Sequence, residues 1–234
     1  VNDMNDELDT DAQMSKEMSA VMNGRRTSTF SSEDGVLWFA PYTPTNLFTG
    51  RLREISQIND ALIVKQNKLE QDAKDEREAV LEAQRFGIRT VSVAVDKEPV
   101  VVRAGVCAYG GAGKTQVMLK YAWDNREYYT GGVFWVEADT AHRIRRDFIN
   151  ICKHLGKESS IGNQNSNEEC ARAVFDALRA VQGRWLICID AADSEDQIDL
   201  LSTVFIPPEL DFGHILVTSR RNDAGMFSQM SIEP

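Results

Sequence analysis

Residues 100–126, VVVRAGVCAYGGAGKTQVMLKYAWDNR, read as a β-branched strand, a glycine-rich turn and a helix in immediate succession. The turn, A-Y-G-G-A-G-K-T at 108–115, has the spacing of a phosphate-binding loop, G-x-x-x-x-G-K-[ST], and its position between a strand and a helix separates it from a chance glycine cluster. Gly110, Gly111 and Gly113, with Ala112 between them, let successive backbone N–H groups curl inward, and the helix that follows adds its positive N-terminal end. Lys114 is expected to reach the β- and γ-phosphates of a nucleotide as a point charge, and the Thr115 hydroxyl to take a position on Mg²⁺. The first glycine of the pattern is Ala108, which is acceptable if its φ is negative and is expected to weaken binding without abolishing it. The competing reading is a glycine-rich turn that binds nothing.

Outward from the loop, short apolar runs alternate with helical stretches, the pattern of a mostly parallel sheet covered by helices. VVVRAGVC, GGVFWVEA, WLICID, HILVTS and FSQMSIE read as five strands. RIRRDFINICKHL places Ile144, Phe148, Ile151, Cys152 and Leu155 on one helical face, and NEECARAVFDALRAV does the same with Cys170, Val174, Ala177, Leu178 and Val181. Ser166 and Glu169 stand at capping-box spacing before the second helix. The fold class that follows is α/β, a three-layer αβα sandwich on a five-stranded sheet.

Two further charged positions sit at strand ends. Trp185–Ile189 is an apolar strand closed by Asp190, where a carboxylate beside a phosphate loop orients Mg²⁺; a cap on the next helix is the alternative. Ala191 follows it, so no side chain there engages an attacking water, and Asp193 is the substitute if a favourable loop brings it in. Arg220, just past HILVTS, is placed to read a γ-phosphate or, alternatively, is a surface arginine. Asp190 and Arg220 are therefore the candidate catalytic pair.

With 234 residues, 42% of them apolar, the chain supports one full core. Its formal charge of -10 argues against a nucleic-acid or anionic-membrane surface. No run approaches the ~20 apolar residues a membrane helix needs, and the acidic start, with Asp3, Asp6, Glu7, Asp9 and Asp11, is unlike a signal peptide. A soluble cytoplasmic protein is expected. The four cysteines and three histidines lack metal spacing, and the cysteines are expected as reduced core residues. Residues 1–46 read as a flexible acidic tail or linker, with Val36 to Phe39 able to dock locally, and 47–234 as the nucleotide-binding domain. From Leu52 the spacing 52, 55, 58, 62 is helical and runs on into KQNKLEQDAKDEREAVLEAQRFG, a charged helix over 63–87 whose acids and bases are best read as a solvated face; Leu62, Leu69, Glu76 and Ala83 make a poor coiled-coil seam.

These elements in this order resemble the NB-ARC nucleotide-binding module of STAND-class P-loop NTPases, in its fungal NLR-like form. NLFTGRLREI looks like the upstream F-x-G-R motif, YGGAGKTQ like the phosphate loop with its following Gln116, WLICIDAAD like Walker B and GHILVTSRR like the sensor strand. The resemblance implies an ADP- or ATP-binding signalling switch with Mg²⁺, at most a slow ATPase, in which Arg51 supports the adenine and ribose side, Gln116 belongs to the nucleotide pocket and Arg220 is the sensor. It implies self-association or association with related signalling proteins. It also marks departures. Ala108 replaces the first loop glycine, Ala191 replaces the usual Asn or Asp, and the gap between Arg51 and the loop is longer than the family's, which makes the charged helix look like an insertion. The chain ends at Pro234, within or just after the fifth strand, so a fragment or a truncated product is expected, and Val1 in place of Met agrees with a fragment. A nucleotide-poor decoy derived from such a module is the alternative function, and a weak ATPase using Asp193 a further one.

Overall fold

The structure, a computed structural model, describes residues 30–31, 37–41, 43–45, 48–85, 102–157, 166–206, 213–221 and 228–231. Most of the expected acidic tail and Gly87, expected to close the charged helix, lie outside these residues. Seven strands form one sheet: β1 (Phe30–Ser31), β2 (Leu37–Phe39), β3 (Val102–Cys107), β4 (Gly132–Glu137), β5 (Trp185–Asp190), β6 (His214–Ser219) and β7 (Ser228–Ser231). Their order across the sheet is β1-β2-β4-β5-β6-β3-β7. The six strands from β2 to β7 pair in parallel, and β1 pairs antiparallel with β2.

The helices are α1 (Leu52–Asn59), α2 (Lys65–Arg85), α3 (Lys114–Asp124), α4 (Ala141–His154), α5 (Asn167–Arg179) and α6 (Glu195–Leu200). A widened π turn, Asp60–Val64, carries α1 into α2 without a break, and a second, Leu201–Phe205, extends α6.

Because side chains alternate across a strand, each apolar run feeds both faces of the sheet. Phe134 and Val136, Trp185, Ile187 and Ile189, and Ile215 and Val217 face one way, against Ile144 and Phe148 of α4 and Val174 and Leu178 of α5. Val133 and Trp135, Leu186 and Cys188, and Leu216 face the other way, against Ile58 of α1, Leu62 and the α3 residues Val117, Met118 and Tyr121. The α/β sandwich expected from the pattern is what forms. The expected faces of α4 and α5 are the buried ones, the capping box of Ser166 and Glu169 is present, and all four cysteines are buried and outside any disulfide.

Two strands were not expected, β1 and β2, both upstream of residue 47. Leu37–Phe39 is short, but its two aromatic rings serve both layers. Trp38 is buried and meets Trp123 edge-on at 5.2 Å, while Phe39 stacks on Phe134 at 5.1 Å. A fully buried ring of this size contributes roughly 1.5–3 kcal/mol, which helps to hold a three-residue strand beside β4. The charged helix forms as expected. Leu62 and Leu69 at its start pack on the core and Glu70 pairs with Arg184 at 2.7 Å, whereas beyond Leu69 its described side chains are exposed or half-buried, the solvated helix its charge pattern predicts.

At the end of the sheet where the strands begin lies a buried polar chain. Tyr121 and Tyr129 hydroxyls are 2.9 Å apart, and Tyr129 meets Nδ1 of His214 at 2.8 Å. His214 is fully buried, stacks on Tyr128, and its Nε2 finds no partner among the described residues. Burial, with the nearby Arg184 charge, depresses the imidazole to about 4, while Glu70 opposes the shift weakly. At the opposite end, β5 closes with Ala191 at φ 62, a left-handed conformation that costs an L-alanine about 1–2 kcal/mol.

Two outcomes follow from these placements. Since His214 binds its proton less readily folded than unfolded, its contribution is complete above the unfolded value near 6.5 and is lost as pH falls toward about 4. Urea unfolding is expected to show on the order of 2–3 kcal/mol of acid-dependent loss across that window, and His214→Gln should flatten the part between about pH 5 and 6.5, where carboxylates titrate little. A slope unchanged by the substitution would place the acid sensitivity elsewhere. Ala191→Asn, which installs a side chain tolerant of the left-handed region, should stabilise the chain by about 0.5–1 kcal/mol; a lower midpoint in the same titration would mean that the turn is not strained.

Candidate phosphate-binding site

The site collects at the C-terminal ends of β3, β5 and β6, where an open parallel sheet presents its loops. β6 lies between the loop strand β3 and the acidic strand β5, so its last residues bridge the two. The Ala108 N–H donates to Ser219 O at 3.2 Å, fastening the start of the loop to β6. Gly111 and Gly113 take φ of 81° and 82°, and a Cβ at either would stand in open space. The glycines are therefore required by backbone conformation and not by crowding. Ala108 is not among the residues with positive φ, which is the condition under which alanine fits the first position of the loop.

Lys114 opens α3 and folds back over the loop, its Nζ donating to Ala108 O at 2.8 Å and Tyr109 O at 3.2 Å. Thr115 Oγ1 lies 3.0 Å from both Oδ1 and Oδ2 of Asp190. The same carboxylate accepts a short hydrogen bond from Thr218 Oγ1, which in turn accepts from the Ala191 N–H at 3.0 Å. Asp190 is thus fixed by a hydroxyl from α3 and another from β6. It does not cap α6: that role belongs to Ser194, whose hydroxyl accepts from the Gln197 N–H and which forms a capping box with that residue.

Arg220 lies beside the loop, with its guanidinium carbon and Nε each 4.0 Å from the place a Cβ on Gly110 would occupy. It is engaged by Asp193, whose Oδ1 accepts from the Arg220 backbone N–H and Oδ2 from Nε, both at 2.8 Å. The expected substitute acid is therefore occupied by the expected sensor. Arg51 sits at the N-terminus of α1 at φ 57, directly after the left-handed Gly50, and pairs with Glu54 at 2.9 Å. Its helix packs against α3, and the Gln116 side chain accepts from the Thr45 N–H at 3.4 Å, so the upstream segment meets the first turn of the loop helix.

The residues present fit a nucleotide phosphate with a divalent cation. Backbone amides around open glycines, an ammonium at the loop mouth, and a hydroxyl facing a carboxylate are the hard-oxygen and cationic groups that such a ligand needs. Among the described residues no three His, Cys, Asp or Glu side chains cluster, so a self-sufficient metal cage is not what these residues offer; a Mg²⁺ held by one or two protein oxygens and shared with phosphate is. Thr218, which bonds both Asp190 and the Ala191 N–H, joins the candidate site without having been singled out in the sequence, where it stands in HILVTS.

No protein-family model matches the chain. Over 97 residues, 41% of the chain, it is 29% identical to a nucleotide-binding leucine-rich repeat (NLR)-like protein of Hyaloscypha variabilis, of which the match spans 10%. Among solved structures, the Cdc6p of Pyrobaculum aerophilum overlays with a TM-score of 0.49 at 12% identity, covering 84% of this chain and 48% of that one. A Drosophila ORC structure bound to DNA overlays with a TM-score of 0.39 at 11% identity, covering 60% and 83% respectively. The chain thus spans about a tenth of the curated relative's length. Loop motif and strand order agree at one level: the chain has the αβα fold of a P-loop domain.

Proposed function

We infer that the chain is the nucleotide-binding part of a signalling switch of the NB-ARC/STAND type, taking ADP or ATP with Mg²⁺ and hydrolysing slowly or not at all. The observation that carries this is the joint placement of Lys114 over the loop carbonyls and of Thr115 at 3.0 Å from both oxygens of Asp190. The NLR-like relative supports the choice of switch over metabolic enzyme.

In this reading Gly110, Gly111, Ala112 and Gly113 supply amides to the phosphates, Lys114 neutralises their charge, and Thr115 with Asp190 holds Mg²⁺. A bound Mg²⁺ would draw charge from the phosphate oxygens. Arg220 reads the γ-phosphate, Arg51 supports the base side, and Gln116 ties the upstream segment to the loop helix. Slow chemistry follows from Ala191, which has nothing with which to orient a water, and the weak-ATPase alternative requires Asp193 to leave the Arg220 pairing first. A switch needs nucleotides that bind its two states differently, and a sensor that reads only the third phosphate is a means to that end. Self-association, or association with related signalling proteins, belongs to the same proposal. The formal charge of -10 supports leaving nucleic acid out of it.

Titration calorimetry with ADP and Mg²⁺ tests the reading. The wild-type chain should bind, and Lys114→Ala, which removes a charged hydrogen-bonding group, should weaken binding by roughly tenfold to a hundredfold while leaving the melting temperature near wild type. Equal affinity in the two proteins would sink the assignment, and no heat from either would favour a decoy that keeps the fold without the ligand.

A further inference from the structure

Asp193 is positioned by its backbone independently of any cation. After the left-handed Ala191, the Ala192 N–H donates to Thr218 O at 3.0 Å and Ser219 Oγ donates to Ala192 O at 2.6 Å, so the loop is sewn to the end of β6 immediately before Asp193. On the other side, Gln197 Oε1 accepts from the N–H groups of Asp193 and Ser194 at 2.9 and 3.0 Å, and Gln197 Nε2 donates to Asp139 O at 2.6 Å. Held from both sides, the carboxylate faces Arg220 and takes two bonds from it. The Arg220 side chain remains largely exposed, 66% against 25% for Asp193, and borders Gly110 of the phosphate loop.

We propose that Asp193 is a specificity-determining residue: its carboxylate occupies Arg220 in place of a terminal phosphate, so that a nucleoside triphosphate must displace it and a nucleoside diphosphate need not. The proposal rests on the reading of Arg220 as the γ-phosphate sensor. A guanidinium binds carboxylate and phosphate through the same fork, which makes the two anions competitors for one site. The carboxylate that gives way then stands close to the incoming phosphate and repels it. Both effects act on the third phosphate alone, so they lower affinity for ATP and leave ADP nearly untouched. The differential affinity that a two-state switch requires thereby arises within one loop.

Since the pair is part-exposed and screened by salt, the contrast it creates is modest, roughly threefold to tenfold in the ratio of the two affinities. Asp193→Asn keeps an oxygen for the Arg220 backbone N–H and removes only the charge, which separates competition from simple fastening of the loop. Asp193→Ser removes the charge with a different side chain and should act with the same sign.

Calorimetry on the full chain with Mg²⁺, using ADP and the non-hydrolysable β,γ-imido analogue of ATP, reads the ratio directly. Asp193→Asn should tighten the ATP analogue by roughly threefold to tenfold and leave ADP within about twofold. In an Arg220→Gln background the same substitution should leave ADP unmoved and shift the ATP analogue clearly less, since only the direct repulsion remains to be relieved. A ratio that stays put or falls in both charge-removing variants overturns the proposal, as does an equal shift in the absence of Arg220. A wild-type chain that binds neither nucleotide overturns the nucleotide reading and this one with it. Wild-type binding of both nucleotides with an unmoved ratio overturns the role of Asp193 alone.

Discussion

The arrangement of the site depends on one half-buried constraint, the carboxylate of Asp190 held between two hydroxyls. An acid at the mouth of an apolar strand needs donors or a cation, and here Thr115 comes to it from α3 and Thr218 from β6. Removal of either hydroxyl would leave the acid short of a partner. The strand order makes this possible. With β6 inserted between β3 and β5, its end reaches both neighbours: Ser219 O takes the Ala108 N–H of the loop, while Thr218, Ser219 and, just past the strand, Arg220 bond to Asp190, Ala192 and Asp193.

The two ends of the sheet handle polarity differently. Where the strands begin, Tyr121, Tyr129 and His214 form a closed chain under Tyr128 and Arg184, with burial keeping the imidazole neutral and the Tyr129 phenol protonated. That end is built to stay uncharged and rigid. Where the strands finish, carboxylates, an ammonium and a guanidinium stand at the surface in pairs whose members can exchange partners. The apolar layers between keep the ends apart, so the charge changes of ligand binding are met by side chains already solvated and not by the core.

Much of this was legible in the sequence because its signals are local. Five strands and the helices α4 and α5 follow from period and β-branching, the capping box from Ser166 and Glu169, and the loop from eight consecutive residues at 108–115. β2 was not legible as a strand, since its stability comes from Trp38 and Phe39 reaching partners nearly a hundred residues away, Trp123 and Phe134. The pairing of Asp193 with Arg220 joins residues 27 apart and exists only once β5 and β6 are neighbours. Ala191 is the instructive case. From sequence it was a missing polar group; the structure adds that its backbone is left-handed, a conformation that asparagine tolerates and alanine resists.

The cations at the loop mouth are bound to unequal partners, and the inequality bears on how such a site fills. Lys114 rests on the neutral carbonyls of Ala108 and Tyr109, which any phosphate oxygen outcompetes because it carries charge. Arg220 rests on a carboxylate, which a phosphate oxygen meets on nearly equal terms. The first phosphates to arrive therefore find a ready ligand, whereas the last finds a contested one. Strengthening the loop alone would tighten every nucleotide alike and shift no equilibrium between conformations, since equal affinity for two states moves neither. In the proposed reading discrimination comes from the contested Arg220, just past β6, and its competitor Asp193 lies on the short turn between β5 and α6.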